Sequence, residues 1–144
     1  MKKQRVNVQL KAEGDGSVVY PEIRVYLTGN RRFFGPGPCF LLKLVGETGS
    51  LQEACTQMGV SYSKGWHMVE NIEHQIGEKV VERKRGGKNG GQSSLTEEGR
   101  ALVEDYQAFS AECHTAMEAL FDKHFSGKFS RAVLTEEESH KDDE

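Results

Sequence analysis

The chain has 144 residues, of which 36% are hydrophobic and 28% charged, and its formal net charge is -3. This length fits one domain of ordinary size, and no apolar stretch approaches the roughly 20 residues that a membrane-spanning helix needs. The basic start is not followed by an apolar segment, so we expect no secretory signal peptide. The three cysteines are widely spaced, which indicates neither a disulfide framework nor a metal knuckle and favours a reduced cytoplasm.

Charge is unevenly divided along the chain. Residues 1–96 hold 14 Lys and Arg against 9 Asp and Glu, a balance of +5. Residues 97–144 hold 5 against 13, a balance of -8. This asymmetry permits a polyanionic partner for the first part alone, although charge by itself fits two solvated faces equally well.

The first 38 residues predict a small ribbon and a loop. Two runs alternate between apolar and polar positions, which is typical of strands: Val6, Val8 and Leu10, then Ile23, Val25 and Leu27. The glycines of Gly14-Asp15-Gly16 predict a turn between them, so we expect the two runs to pair as a hairpin. Residues 29–38 are predicted to form a loop, because Pro36 and Pro38 interrupt regular structure.

Three short helices are predicted between residues 38 and 77. The first covers residues 38–48, with an apolar face of Phe40, Leu41, Leu44 and Val45. The second covers residues 51–58, where Leu51, Ala54, Cys55 and Met58 form one stripe at helical spacing. The third begins after Ser61, which can cap it, and runs to Gly77.

The second and third of these helices resemble a helix-turn-helix. Gly59 can take the left-handed conformation that the turn needs, and the small side chain of Ala54 lets the two helices cross closely. Many three-helix cores share this pattern, so it does not by itself indicate nucleic-acid binding.

A two-stranded wing is predicted directly after the third helix. Residues 79–85 form its first strand, the glycine-rich residues 86–91 its loop and residues 92–96 its return strand. Residues 83–96 carry four cations and no acid. Such a loop can approach a phosphate backbone closely, and its cations would make the binding salt-dependent.

One long helix is predicted from Glu97 to about Phe125, capped by Thr96. Its apolar residues recur at spacings of three and four: Leu102, Tyr106, Phe109, Cys113, Met117 and Leu120. The stripe is long for so small a chain, which favours a homodimer interface, although it could instead pack on its own chain. The acidic residues 127–144 are expected to be disordered.

Several of these motifs together resemble the DNA-binding domain of molybdate-responsive, ModE-type transcription regulators. The similarity spans roughly residues 20–125 and rests on these segments: Glu47-Thr48-Gly49-Ser50-Leu51, Met58-Gly59-Val60-Ser61-Tyr62-Ser63-Lys64-Gly65-Trp66, Val81-Glu82-Arg83, Gly86-Gly87-Lys88-Asn89-Gly90-Gly91 and Leu95-Thr96-Glu97-Glu98-Gly99. The resemblance implies a LysR-like winged helix-turn-helix and a homodimer that binds operator DNA, with the long helix at its interface.

The chain departs from that family at its C-terminal end. Members often carry molybdate-binding domains there, whereas an acidic tail follows Phe129 here. We therefore expect no cofactor, and molybdate remains open only as an effector. In the wing, Gln92 and Ser93 stand where the family usually has glycine and alanine.

The expected fold class is mainly α with small β, a winged helix-turn-helix with an N-terminal β-ribbon and a long C-terminal dimerisation helix. The expected divisions are the ribbon and loop (residues 1–36), the DNA-binding domain (37–96), the dimerisation helix (97–126) and the tail (127–144).

The candidate DNA contacts lie at the start of the third helix and in the wing, because the start of a recognition helix enters the major groove. They are Ser61, Tyr62, Ser63, Lys64 and His67 on the helix, and Arg83, Lys84, Arg85, Lys88 and Asn89 in the wing. Ser61 could instead only cap the helix, and Trp66 is expected to be core. Arg31 and Arg32 are left open as solvated charge or a backbone contact.

Enzymatic functions find no support in the sequence. The glycine-rich loop lacks the P-loop pattern, and His67 and His74 are seven residues apart, too far for the usual metal pair. No metal site is expected. Two alternatives to a regulator remain: a protein-interaction module on a winged-helix scaffold, and a small molybdate-binding dimer without DNA binding.

Overall fold

The computed structural model describes residues 4–7, 18–84, 92–128 and 132–135. In chain order its elements are β1 (Gln4–Asn7), β2 (Leu27–Thr28), β3 (Arg32–Phe34), α1 (Pro36–Thr48), α2 (Leu51–Met58), α3 (Tyr62–Ile76), β4 (Val81–Lys84), β5 (Gln92–Leu95), α4 (Glu97–Phe125) and β6 (Ala132–Thr135). The predicted fold class, helices with small β elements, is confirmed.

The chain divides into two compact units. Residues 24–113 form one unit, which contains α1, α2, α3 and the wing. Described residues before 24 and after 113 form the other, in which β1 pairs with β6. None of the helices in the described part of the chain is both long and apolar enough to cross a membrane.

The helix boundaries follow local signals in the sequence. Gly49, Gly59 and Gly77 end the first three helices with φ values of 72°, 77° and 76°, a conformation that suits glycine. Ser50 and Ser61 cap α2 and α3, each accepting a hydrogen bond from a backbone N–H three residues on. The first helix begins at Pro36, two residues earlier than predicted, since proline is well suited to the first helical turn.

The core of the 24–113 unit lies between α1, α2, α3 and the start of α4. Its fully buried large side chains are Phe34, Leu41, Leu42, Leu51, Ile72, Val45, Val69, Val80 and Cys55. Phe34 meets the ring of Tyr106 edge to face, with centroids 5.1 Å apart. The prediction that Phe40 belongs to this core is wrong: it is 48% exposed, and Leu42 is buried instead.

The N-terminal pairing was wrongly predicted. β1 pairs with β6, Val6 opposite Val133, rather than with the run from Ile23 to Leu27. The proposed Gly14-Asp15-Gly16 turn lies outside the described residues. β6 also falls inside the tail predicted to be disordered, whereas residues 136–144 lie outside the described part.

The segment predicted to be a loop contains a strand. β3 pairs with β2 in a short antiparallel hairpin, Leu27 opposite Phe34, with a register shift beside Thr28. Phe34 at the end of β3 is buried in the core, and both prolines come after the strand, so they do not interrupt its pairing. Pro36 then opens α1 instead of prolonging a loop.

Candidate nucleic-acid interface

The start of α3 presents polar side chains to solvent. Ser61, Ser63, Lys64 and His67 are all exposed. The hydroxyl of Ser61 accepts from the backbone N–H of Lys64 at 3.1 Å, so the predicted capping role is the one that this contact supports. The side chains of Ser63, Lys64 and His67 line the outer face of the helix start, as a groove-reading helix requires.

The crossing of α2 and α3 depends on Gly65. A Cβ atom on this buried glycine would overlap the sulfur of Cys55, so only glycine permits the observed approach. Ala54 is also fully buried on α2, as predicted, and Gly59 forms the turn between the helices. The contribution of Gly65 was missed, although a glycine inside a helix pattern is the signal that could have revealed it.

Arg83 links the wing to the recognition helix. From strand β4 its guanidinium lies 4.7 Å from the centre of the Trp66 ring, and its Nη2 donates to the Tyr62 hydroxyl at 2.5 Å. Stacking and the hydrogen bond thus hold this cation beside the start of α3. Trp66 is only partly buried, so it combines the predicted core role with a contact to the wing.

The wing is joined to the rest of the unit by hydrogen bonds to α3 and to the end of α1. The carboxylate of Glu73 on α3 accepts from the backbone N–H of Val80 at 2.8 Å and of Val81 at 3.3 Å. On the return side, the Ser93 N–H donates to the Gly49 carbonyl at 2.8 Å. These bonds fix the base of β4 and β5 against α3 and α1, and sequence reasoning placed no such role on Glu73.

Thr96 connects the wing with α4. Its hydroxyl donates to the Lys79 carbonyl at 2.6 Å and accepts from the Gly99 N–H at 2.9 Å, so it caps α4 as predicted. A Cβ on Gly99 would overlap the Val80 carbonyl oxygen, which shows how closely α4 approaches the wing. The start of α4 is therefore built into this unit.

The predicted wing contacts are only partly described. Arg83 and Lys84 are exposed on β4. Arg85, Lys88 and Asn89 lie outside the described residues. Tyr62 is 40% exposed, with its hydroxyl engaged by Arg83. The structure thus brings together Tyr62 and Arg83 beside the exposed side chains of Ser63, Lys64 and His67.

Comparison with known proteins shows which domain this arrangement is similar to. Residues 41–100, which include α2, α3 and the wing, match the family model of bacterial regulatory helix-turn-helix proteins of the lysR family. Residues 41–100 are therefore similar to the lysR-type helix-turn-helix domain, and we refer to this part of the chain as the LysR-type domain.

Curated relatives match the LysR-type domain and its surroundings. The Transcriptional regulator ModE of Yersinia pestis is 33% identical over 92 residues, covering 64% of this chain and 35% of that protein. The DNA-binding transcriptional dual regulator ModE of Escherichia coli K12 is 32% identical over 91 residues, covering 62% and 34%. The Molybdenum-pterin-binding protein MopB of Rhodobacter capsulatus is 37% identical over 71 residues, covering 49% and 26%. The chain therefore spans about a third or less of the length of these relatives.

The helix that leaves the LysR-type domain carries the stripe predicted for a dimer interface. Phe109 is 49% exposed and Leu120 is 54% exposed, while Leu102, Cys113 and Met117 are partly buried. Tyr106 differs, because it is buried in its own chain and its hydroxyl donates to the Val25 carbonyl at 2.7 Å. Its assignment to an interface with a second chain is therefore not supported by its position.

Burial shifts the pKa of three titratable groups in the 24–113 unit. Burial raises the pKa of the Cys39 and Cys55 thiols, which keeps both protonated and inert at neutral pH. Burial also raises the pKa of Tyr106, whose hydroxyl serves as a structural donor. Among the residues that the structure describes, no three His, Cys, Asp or Glu side chains are grouped as metal ligands.

Proposed function

We propose that this chain is a sequence-specific double-stranded DNA-binding transcription regulator that acts as a homodimer in the cytoplasm. The observation that carries the proposal is the LysR-type domain in which Arg83 of the wing is held beside the exposed start of α3. That helix would enter the major groove, with Ser63, Lys64 and His67 facing base edges and phosphates.

The role of the wing follows from its charge and its attachment. Arg83 and Lys84 would neutralise phosphates beside the groove that α3 occupies, as would the neighbouring Arg85 and Lys88, and Asn89 is the remaining candidate contact in the wing sequence. Because Tyr62 and Trp66 already hold Arg83, little side-chain freedom would be lost when it meets a phosphate. The mechanism is binding, and we assign no catalytic residues.

A link to molybdenum is part of the proposal, because two of the relatives are named as ModE transcriptional regulators and a third is named as a molybdenum-pterin-binding protein. Molybdate would then act as an effector of DNA binding rather than as a resident cofactor. Thermal unfolding with and without molybdate tests this part, since a ligand of the folded state raises Tm.

Binding of labelled mixed-sequence duplex DNA across a salt series tests the central proposal. We expect Lys84→Ala to lower the slope of log affinity against log salt by about 0.9, the value for one phosphate contact. Lys43→Ala is the matched control, because Lys43 is an exposed lysine on the outer face of α1. Trp66, the only tryptophan, provides a second readout, since a phosphate that engages Arg83 changes the surroundings of the indole.

Absence of binding at low salt would overturn the regulator proposal and favour the interaction module. If Lys84→Ala and Lys43→Ala give the same slope of log affinity against log salt, Lys84 of the wing does not contact DNA. Selection of bound sequences from a random library then tests specificity, and we expect an inverted repeat with half-sites about one helical turn, or a multiple of it, apart.

A further inference from the structure

The β2–β3 hairpin is fixed against the C-terminal half of α3. The Asn71 side-chain amide donates to the Arg32 carbonyl at 3.2 Å, and the Gln75 side-chain oxygen accepts from the Asn30 N–H at 3.2 Å. At the end of β3, Phe34 is fully buried in the core. The hairpin therefore keeps a defined position beside the helix.

The hairpin and the wing lie on different sides of α3. Successive residues of an α-helix turn by about 100°, so Asn71 and Gln75 lie about 180° around the axis from Tyr62 and Trp66. The first pair contacts the hairpin and the second pair contacts Arg83 of the wing. The outer face of α3 is thus bordered by one β-hairpin on each side.

The hairpin presents a cation along that border. Arg31 is exposed at the tip, whereas the guanidinium of Arg32 lies 3.9 Å from the centre of the Tyr26 ring and is held to its own hairpin. Between the tip and α3 is an open pocket of about 600 Å³, whose lining includes Asn30, Arg31, His67, Glu70 and His74. His67 therefore belongs both to this pocket and to the candidate groove-reading face.

We propose that the β2–β3 hairpin is a second DNA-backbone contact, which places Arg31 on the phosphates at the side of the groove opposite the wing. The proposal rests on the DNA-binding function proposed above. A helix seated in a major groove about 12 Å wide has a phosphate strand on both sides, and the wing reaches only one of them. The second strand then meets the hairpin tip.

Glu70 in the same pocket allows a second test, because removing its charge should change DNA affinity in the direction opposite to the loss of Arg31. Glu70 lines the same pocket as Arg31, and its carboxylate repels a phosphate near the tip, so the contact is assigned to Arg31. Removing the charge of Arg31 should weaken DNA binding, whereas removing the charge of Glu70 should strengthen it. A change in the net charge of the whole protein would also weaken DNA binding when a cation is removed and strengthen it when an acid is removed. The test therefore needs a control variant that removes a charge far from the hairpin.

The experiment measures DNA affinity over 50 to 200 mM salt for the wild type, Arg31→Ala, Glu70→Gln, Lys43→Ala and Lys84→Ala. We expect Arg31→Ala to lower the salt slope by about 0.9, as Lys84→Ala does, and Lys43→Ala to leave it nearly unchanged. Glu70→Gln should raise affinity severalfold.

Hydroxyl-radical footprints should lose protection at one flank of the site for Arg31→Ala and at the other flank for Lys84→Ala. Far-UV circular dichroism melts confirm that each variant is folded.

Three results would overturn the proposal, and they are distinguishable. If the wild type does not bind DNA, the proposed function fails and the hairpin contact fails with it. If Lys84→Ala lowers the slope while Arg31→Ala behaves like Lys43→Ala, DNA binding stands and the second contact is refuted. If Arg31→Ala, Lys43→Ala and Lys84→Ala all lower the salt slope equally, the loss of affinity comes from the change in net charge and not from a local contact.

Discussion

Gly65 shows how one residue without a side chain sets the position of the recognition helix. Its α-hydrogen faces the sulfur of Cys55, and α2 and α3 are therefore closer than any larger residue would allow. Glycine costs a helix up to about 1 kcal/mol relative to alanine, so the close crossing must offset that penalty. The same crossing brings Tyr62 and Trp66 to the distance at which they meet Arg83.

We expect Gly65→Ala to lower the free energy of unfolding by about 1–2 kcal/mol, because overlap with Cys55 outweighs the gain in helix propensity. In a Cys55→Ala background the sulfur is absent, and the same substitution should become neutral or stabilising. Urea denaturation of the four proteins in this cycle measures the coupling.

Gly59→Ala provides the control for this cycle. Gly59 has φ 77° and open space around it, so alanine there is strained whatever stands at position 55. Gly59→Ala should therefore lower the free energy of unfolding by the same amount with Cys55 and with Cys55→Ala. Equal effects of Gly65→Ala in both backgrounds would show that the Cys55 sulfur does not limit the crossing.

At the level of elements, Glu73 joins α3 to the wing. Its carboxylate, on a side chain that is 9% exposed, accepts from the consecutive backbone N–H groups of Val80 and Val81 at the start of β4 and also meets the Lys79 ammonium at 3.4 Å. These N–H groups lie where the chain enters the wing, and the Glu73 carboxylate supplies their acceptor. The Glu73 side chain thereby fixes the start of the wing against α3, together with the contact of Arg83 with Tyr62.

Glu73→Ala should lower the free energy of unfolding by about 1–3 kcal/mol, since the Val80 and Val81 N–H groups lose their acceptor. Glu73→Gln retains a side-chain oxygen and should lose less. Glu70→Ala, an exposed glutamate three residues earlier on the same helix, should change stability by no more than about 0.5 kcal/mol. Chemical denaturation compares the three, and equal effects at positions 70 and 73 would contradict this role.

The elements also show where sequence reasoning succeeds and where it stops. The helices were predictable within two residues, because caps such as Ser50 and terminal glycines such as Gly59 act on adjacent backbone. The partner of β1 was not, since β6 is more than a hundred residues away and short strands carry no local rule for pairing. The site was predictable as exposed polar residues on α3, whereas the Glu73 bonds depend on tertiary placement.

At the scale of the whole molecule, the apolar stripe of α4 argues for a second copy of the chain. Phe109 and Leu120 each leave about half of their surface exposed, which is unusual for large apolar side chains spaced along one helix. The α4 helix of a second copy is the simplest partner for this stripe, because in an isologous dimer the same apolar surface is buried on both subunits. Tyr106 does not contribute, since it packs on Phe34 in its own chain.

We therefore expect Phe109→Glu with Leu120→Glu to convert a dimer into a monomer of 16.1 kDa in sedimentation velocity. The control is Gln107→Glu, because position 107 is exposed and lies about 200° around the helix from Phe109.

The monomer should keep its LysR-type domain folded, since both substituted side chains lie outside the buried core. Its affinity for one half-site should be unchanged, whereas affinity for a complete inverted repeat should fall by about 10²–10⁴, the factor that linked binding provides. A wild type that sediments as a monomer would refute the homodimer, and unchanged affinity of the variant for the inverted repeat would show that the two half-sites are bound independently.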